Sequence, residues 1–575
     1  KINKMEKINK LLSKFKKYNL DGYLIPKNDE FFSEYVPHNK DNLQYISNFS
    51  GSYGMALILK KKNFLFVDGR YTVQANIQSG KAFTVITLPF QKNKVNLKIK
   101  DKTIGFNPRL FSKRSLEILS KHLKIKCTAV NEDLIYSIKG SKKKSISKKF
   151  YTLNENITGE KSSIKIKKLK KNLTKNNIDI MLITSSENIA WLLNIRGYDS
   201  NYSPIPNCFL IIDKMRVFLF CDLRKINSKL KKKLNFVSFL DIDQLEFFLK
   251  NVRNKNFLVD DLTCSIFHKN LIKRNNKILR NTDPIYFYKS QKNNTEIKNS
   301  MKIHEYDGVA LTKFIFWIQN NFKKKRITEL KAQEKLLEFR KKFKQFKFSS
   351  FPTISSTGPN GAIVHYNATQ KTNRILEQGN IYLVDSGGQY HYGTTDVTRT
   401  ISLDSKDEKI KEVYTRVLQG HLNLSNYKLK KNTTGSILDK VARKNLKKMR
   451  LDYAHGTGHG VGYFLNVHEG PQSISKKNNI RLKPGMIISN EPGYYEKGKF
   501  GLRIENLLYV KKNGNGMKLE NLTYVPIDKN LIIKRLLRKK EILWLNKYHE
   551  KVYKKLQKYM SRSELSLLKK SCSNI

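Results

Sequence analysis

Between residues 381 and 510 the chain carries four carboxylates whose spacing leaves few ways to fold. Residues 381–385 and 394–401 alternate apolar and polar side chains, as half-buried strands do, with Gly387, Gly388 and Gly393 between them. A turn centred near Tyr390 predicts Asp385 opposite Asp396 on one face of an antiparallel pair. Glu491 and Glu505 are likewise equidistant from Gly498, a residue suited to turns. Like charges held opposite each other repel, and two carboxylates sharing a site do not both ionise without cost. Built twice in one region, this arrangement predicts a cation. Harder divalent ions favour carboxylate oxygens, with imidazole as a common further ligand. His459 supplies the imidazole, in a run with Gly456, Gly458, Gly460 and Gly462 where missing side chains let backbone approach closely.

The order Asp385, Asp396, His459, Glu491, Glu505 has telling flanks. The strings are FPTISSTGPNGAIVHY, VDSGGQYHYGTTDVTRT, HGTGHGVGYFLNVHEGP and LKPGMIISNEPGYYEKGKFGLRIEN. Together they resemble the pita-bread metallopeptidases and, among them, the long three-domain Xaa-Pro aminopeptidases. Weaker matches, VDGRY and ENIAWLLNIRG, extend the resemblance across the first half. It implies two creatinase-like N-terminal α/β domains followed by a pita-bread catalytic domain. It also implies a dinuclear site that favours manganese, with a bridging hydroxide. The activity implied is removal of the first residue from peptides with proline second. His365, His455 and His468 fall at positions that in the family line the substrate side of the metals. An imidazole donating to a developing oxyanion is the physical role expected there. Arg503 and Thr398 share faces with Glu505 and Asp396, and are expected to brace ligand carboxylates. His391, near the hairpin turn, reads as surface. The resemblance further implies a homodimer.

At 575 residues the chain exceeds one compact core, and 39% hydrophobic content suffices for globular packing. The formal charge of +63 would suit a nucleic-acid or anionic partner. The lysines are scattered, however, and residues 351–400 balance Lys371, Arg374 and Arg399 against Glu377, Asp385 and Asp396. General lysine bias is therefore the expectation, with no nucleic acid bound. Five cysteines, Cys127, Cys208, Cys221, Cys264 and Cys572, have no CxxC spacing, so a reducing compartment is expected. No secretory-type apolar core and no membrane-length run is present, which predicts a soluble cytoplasmic protein.

Three domains are expected, at 1–150, 151–290 and 291–575. LDGYLIP (20–26) and IDIMLIT (178–184) match about 158 positions apart, and FLFVDGR (64–70) matches FLFCDLR (218–224), which predicts a duplicated domain. A basic amphipathic helix carrying Ile8, Leu11, Leu12 and Phe15 precedes the first copy, and a lysine run at 140–149 reads as a linker. Helical spacing predicts helices over 296–316, 327–343 and the stretch from 536 to 556. Methionine aminopeptidases lack the doubled N-terminal half, prolidases are typically shorter, and creatinases lack the full ligand set. A metal-free pita-bread binding module is the rival from another class. Its relatives lose ligands, whereas all five stand here.

Overall fold

The structure, a computed structural model, describes residues 3–89, 97, 99–140 and 148–575. Positions 141–147 of the expected linker thus lie outside the described residues. Two compact units form: Lys1–Glu155 with Glu160–Tyr286, and Asn156–Gly159 with Phe287–Ile575.

The first unit holds two six-stranded sheets of one design. The first sheet runs in the order Thr84–Leu88, Asn63–Asp68, Met55–Leu59, Gly22–Pro26, Thr103–Phe106, Lys126–Ala129. The second runs Ser238–Asp241, Val217–Cys221, Phe209–Asp213, Ile180–Ile183, Asn256–Val259, Lys277–Arg280. Strand senses match pair by pair: the strand in position three is antiparallel to both its neighbours, and every other pairing is parallel. The repeated segments LDGYLIP and IDIMLIT supply the fourth strand of each sheet, and FLFVDGR and FLFCDLR the second. Helices flank both faces, so these strands read as continuous apolar runs, and Gly22–Pro26 is buried throughout. The leading helix, Lys4–Leu12, buries Ile8 and Leu11, while Lys4 and Lys7 are half-buried and donate to the carbonyls of Ser79 and Tyr45.

In the second unit, the helix Asn294–Asn321 opens on a capping box between Asn293 and Glu296. Its Leu311, Phe314, Ile315 and Ile318 pack on Tyr382, Val384, Val397 and Ile401. The helix Glu408–Ser425 sets Val413, Tyr414, Val417 and Leu418 against Ile381, Phe500, Leu502 and Ile504. Each such fully buried side chain contributes about 1.5–3 kcal/mol relative to exposure. The two helices thereby back the strands that carry the carboxylates. Those strands are Ile381–Ser386 between Ile354–Thr357 and Val397–Ser402, and Ile487–Asn490 paired with Asn506–Asn513. The two-stranded ribbon Gly493–Glu496 with Phe500–Arg503 extends the latter pair. The other predicted helices form at Glu329–Lys341 and Lys539–Leu556, and Arg562–Cys572 follows. No helix among the described residues is long and apolar enough to cross a membrane.

One register differs from expectation. Asp385 pairs with Thr398, not with Asp396. The turn residues are His391 and Tyr392, since Tyr390 pairs with Gly393, so the centre lies one residue later than the alternation indicated. That moves the register by two, which preserves the face; a shift of one would have turned Asp396 away. Asp396 becomes the diagonal neighbour of Asp385. The chain narrows between them: a Cβ on Gly387 would stand 1.9 Å from the Thr395 carbonyl oxygen. The second hairpin keeps its expected register. Both Ile487 with Tyr509 and Gly493 with Arg503 are symmetric about Gly498, whose φ of +77° suits glycine.

Candidate metal centre

Asp396, His459 and Glu505 each bring a ligand atom within 4.8 Å of one another. His459 Nε2 lies 3.4 Å from Asp396 Oδ2 and 3.4 Å from Glu491 Oε1. Asp385 completes the group electrostatically. Burial first, then Asp385 and Glu491, push the Asp396 carboxyl well above its ordinary range. Burial, Asp396, Glu491 and Asp385 do the same to Glu505. All five ligand candidates therefore converge.

Local bonds aim these groups. His459 Nδ1 is 2.9 Å from the Gly460 carbonyl, which can only accept. The proton is thus assigned to Nδ1, and the Nε2 lone pair faces the carboxylates. Ser489 Oγ accepts the His459 backbone N–H at 2.9 Å and donates to Glu491 Oε1 at 3.0 Å. Arg503 donates from Nη2 to Asp385 Oδ2, and from Nε to Thr398 Oγ1 at 3.1 Å. Thr398 Oγ1 in turn donates to Glu505 Oε2 at 2.7 Å. The expected bracing by Arg503 and Thr398 is one connected chain, which the pairing of Thr398 with Asp385 makes possible.

A cation fits this set. Asp385 Oδ1 and Glu505 Oε1 are buried and accept no hydrogen bond, an arrangement that costs about 1–3 kcal/mol per group when left so, and more for a charged one. Arg503 sets one positive charge against four carboxylates, leaving the group net negative. A net negative, buried set of oxygens is what hard divalent cations favour.

The three further histidines are placed differently. His468 is exposed, and its ring centroid lies 4.3 Å from that of His459. His455 is buried, with Nδ1 2.7 Å from the Gly456 carbonyl and Nε2 3.0 Å from Tyr495 Oη. Nδ1 must carry the proton, so Nε2 accepts from Tyr495, whose oxygen accepts from Arg503 Nη1. Both ring nitrogens are thereby engaged, and His455 Nε2 holds Tyr495. His365 is half-buried on the loop after Gly358–Ala362, between buried Val364 and Tyr366. His391 is half-buried against Phe464, not on the surface as expected: the close turn lays its ring on that side chain at 5.5 Å, and burial lowers its pKa to about 4.

Sequence reasoning missed Tyr495. The signal was available, because alternation runs Glu491, Gly493, Tyr495 on one arm and Gly501, Arg503, Glu505 on the other, all on one face. It also missed Arg399, fully buried, whose guanidinium binds the carbonyls of Thr398 (2.8 Å) and Glu505 (2.7 Å) and so locks both strands. Nothing in the composition near Arg399 sets it apart from a surface arginine.

A pita-bread domain with four carboxylates and an imidazole converging on one cation-binding pocket defines the class: a metallopeptidase. Comparison with known proteins agrees. Metallopeptidase family M24 matches residues 298–512, and the C-terminal region of peptidase M24 matches 515–575. The Creatinase/Prolidase N-terminal domain matches twice, at 7–136 and 141–296. Xaa-Pro aminopeptidase 1 of Dictyostelium discoideum is 35% identical over 589 residues, spanning 97% of this chain and 94% of that protein. The probable Xaa-Pro aminopeptidase P of Laccaria bicolor is 34% identical over 603 residues, spanning 100% of this chain and 94% of that protein. The crystal structure of X-prolyl aminopeptidase from Caenorhabditis elegans, described as a cytosolic enzyme with a di-nuclear active site, matches at a TM-score of 0.94 and 28% identity over 100% of both chains. This chain belongs to metallopeptidase family M24, in its Xaa-Pro aminopeptidase branch.

Proposed function

We propose that this enzyme removes the N-terminal residue from peptides whose second residue is proline, using two divalent ions, manganese by preference. The carrying observation is the convergence of Asp385, Asp396, His459, Glu491 and Glu505 around buried, unbonded carboxylate oxygens. The full-length similarity to Xaa-Pro aminopeptidases supports the substrate class. When bound, the ions would supply Lewis acidity and a bridging hydroxide near neutral pH.

The chain's own residues do the rest. The carboxylates hold the ions and offer acceptors to a free N-terminal ammonium, which favours an exopeptidase. Arg503 and Thr398 keep Asp385 and Glu505 from turning away as charges shift. We assign His468, exposed beside His459, and with it His365, to the substrate side. His455 acts through Tyr495. Proline lacks the N–H that a general aminopeptidase can bind, so its recognition rests on shape.

The test is manganese-stimulated release of the first residue from matched Xaa-Pro and Xaa-Ala peptides. Preferential cleavage of Xaa-Pro is expected. Equal cleavage of both removes the proline reading and leaves the metallopeptidase. Homodimerisation is a separate expectation, read directly from the molar mass in solution.

A further inference from the structure

Glu329, the first residue of the helix Glu329–Lys341, is fully buried and forms no salt bridge among the described residues. A lone buried carboxylate is costly unless hydrogen bonds replace its water. Here they do, and nearly all come from one loop. Oε1 accepts the Thr357 backbone N–H at 2.8 Å. Oε2 accepts the Arg374 backbone N–H at 3.0 Å and the Tyr366 hydroxyl at 2.9 Å. The Asn360 carboxamide lies 3.0 Å from both oxygens. The donors span residues 357 to 374, and among them this stretch has no regular structure beyond the short turn Gly358–Ala362. The helix start adds two further ties to the loop, Glu329 N–H to the Arg374 carbonyl at 3.0 Å and Leu330 N–H to Asn373 Oδ1 at 3.1 Å.

This loop carries His365, next to Tyr366. It also presses on the metal-site ribbon, since a Cβ on Gly501 would stand 1.8 Å from the Gly361 carbonyl oxygen. Gly501 lies two residues before Arg503 in the same strand. Glu329 is remote in sequence from every ligand, yet one carboxylate ties down the loop that meets the ribbon and bears a substrate-side histidine.

We propose that Glu329 is a positioning residue for the reaction, which fixes the 358–375 loop and thereby sets His365 against the peptide. The His365 part rests on the function proposed above. The loop-holding part does not.

The experiment compares Glu329→Gln, Tyr366→Phe, His365→Ala and the double variant Glu329→Gln/His365→Ala, each loaded with manganese. Glutamine replaces an acceptor with a donor that faces backbone N–H groups, so the loop must open. Glu329→Gln is expected to lower kcat/KM on an Xaa-Pro tripeptide by about 100-fold, the scale of a misplaced reacting geometry. Bound manganese should stay at the wild-type level. Tyr366→Phe removes one bond of the set and should show a smaller loss of the same kind, which keeps the test intact if Glu329→Gln fails to fold. Once His365 is alanine, adding Glu329→Gln should cost little more. Hydrogen exchange should speed within 358–375 in Glu329→Gln, with the rest of the second unit unchanged. Undiminished activity in Glu329→Gln, losses that multiply in the double variant, or exchange that rises throughout the unit would each overturn the proposal. If His365→Ala is fully active, the substrate-side reading of His365 falls, and the exchange pattern alone then decides whether Glu329 holds the loop.

Discussion

Arg503 grips one oxygen of Asp385 and leaves the other open. The guanidinium is buried and donates to Asp385 Oδ2, while Oδ1 of the same carboxylate is buried without a hydrogen bond. A carboxylate held at one oxygen presents the other in a defined direction, which a metal ligand requires. Replacing Arg503 with methionine keeps the volume and removes the grip. Manganese affinity should fall about 10- to 100-fold, the usual scale for losing a group that orients a ligand. Calorimetric titration of the metal-free protein measures it, and an unchanged isotherm would contradict the assignment.

Asp396 and Glu505 repel their neighbours when no cation is present. Asp396→Asn or Glu505→Gln should therefore raise the melting temperature of the metal-free protein. Added manganese should raise the wild-type melting temperature further but not that of these variants, since a ligand that binds only the folded state stabilises it. Peptidase activity should vanish in both, with the first unit still folded. A variant that keeps near-normal turnover and two bound ions would show that the altered residue is no ligand.

Tyr495 and His455 form one path from Arg503, so removing either should have one consequence. Tyr495→Phe and His455→Ala are each expected to reduce turnover while both ions remain, and the double variant should be no worse than the poorer single one. His468→Ala lies outside that path. If His468 donates to the oxyanion, turnover should drop about 100- to 1,000-fold with metal retained. Loss of metal in any of these three would make the residue a structural support instead.

Two buried histidines outside the ligand set predict an acid-sensitive fold. His549 is buried, accepts the Ile527 backbone N–H on Nε2 at 3.1 Å, and has a pKa pushed down to about 3 by burial and then by Lys529 and Arg399. His268 in the first unit is held down to about 4 by burial and by Arg109. Both are neutral when folded, whereas unfolded histidine titrates near 6.5. Their contribution to stability is complete above about pH 6.5 and is lost as pH falls toward 4 and 3, because the unfolded chain takes up protons that the folded one refuses. Urea unfolding of the metal-free protein between pH 7 and 4.5 should show this decline. The slope should flatten in His549→Gln and His268→Gln, whatever their absolute stability; an unaltered slope would clear both histidines.

Local pattern determined much of this protein. Period-two alternation located the strands of the first hairpin, the symmetry about Gly498 located the second, and period 3.6 located the long helices, because each element must bury one face and the spacing of apolar residues records which. The repeat of LDGYLIP in IDIMLIT revealed the duplication, since a duplicated sheet keeps the apolar run of its most enclosed strand. The ligand order was legible because five chemically demanding side chains stand on glycine-rich strands where few other roles suit them. Tertiary structure alone decided the rest. The pairing of Asp385 with Thr398 depends on where a turn closes, and glycines at 387, 388 and 393 allow more than one closure. The engagement of His455 by Tyr495, the clamp of Arg399 on two strands and the gathering of a loop by Glu329 are contacts between residues distant in sequence. Such contacts leave no period in the chain, because a hydrogen bond across the core constrains the two positions it joins and nothing between them.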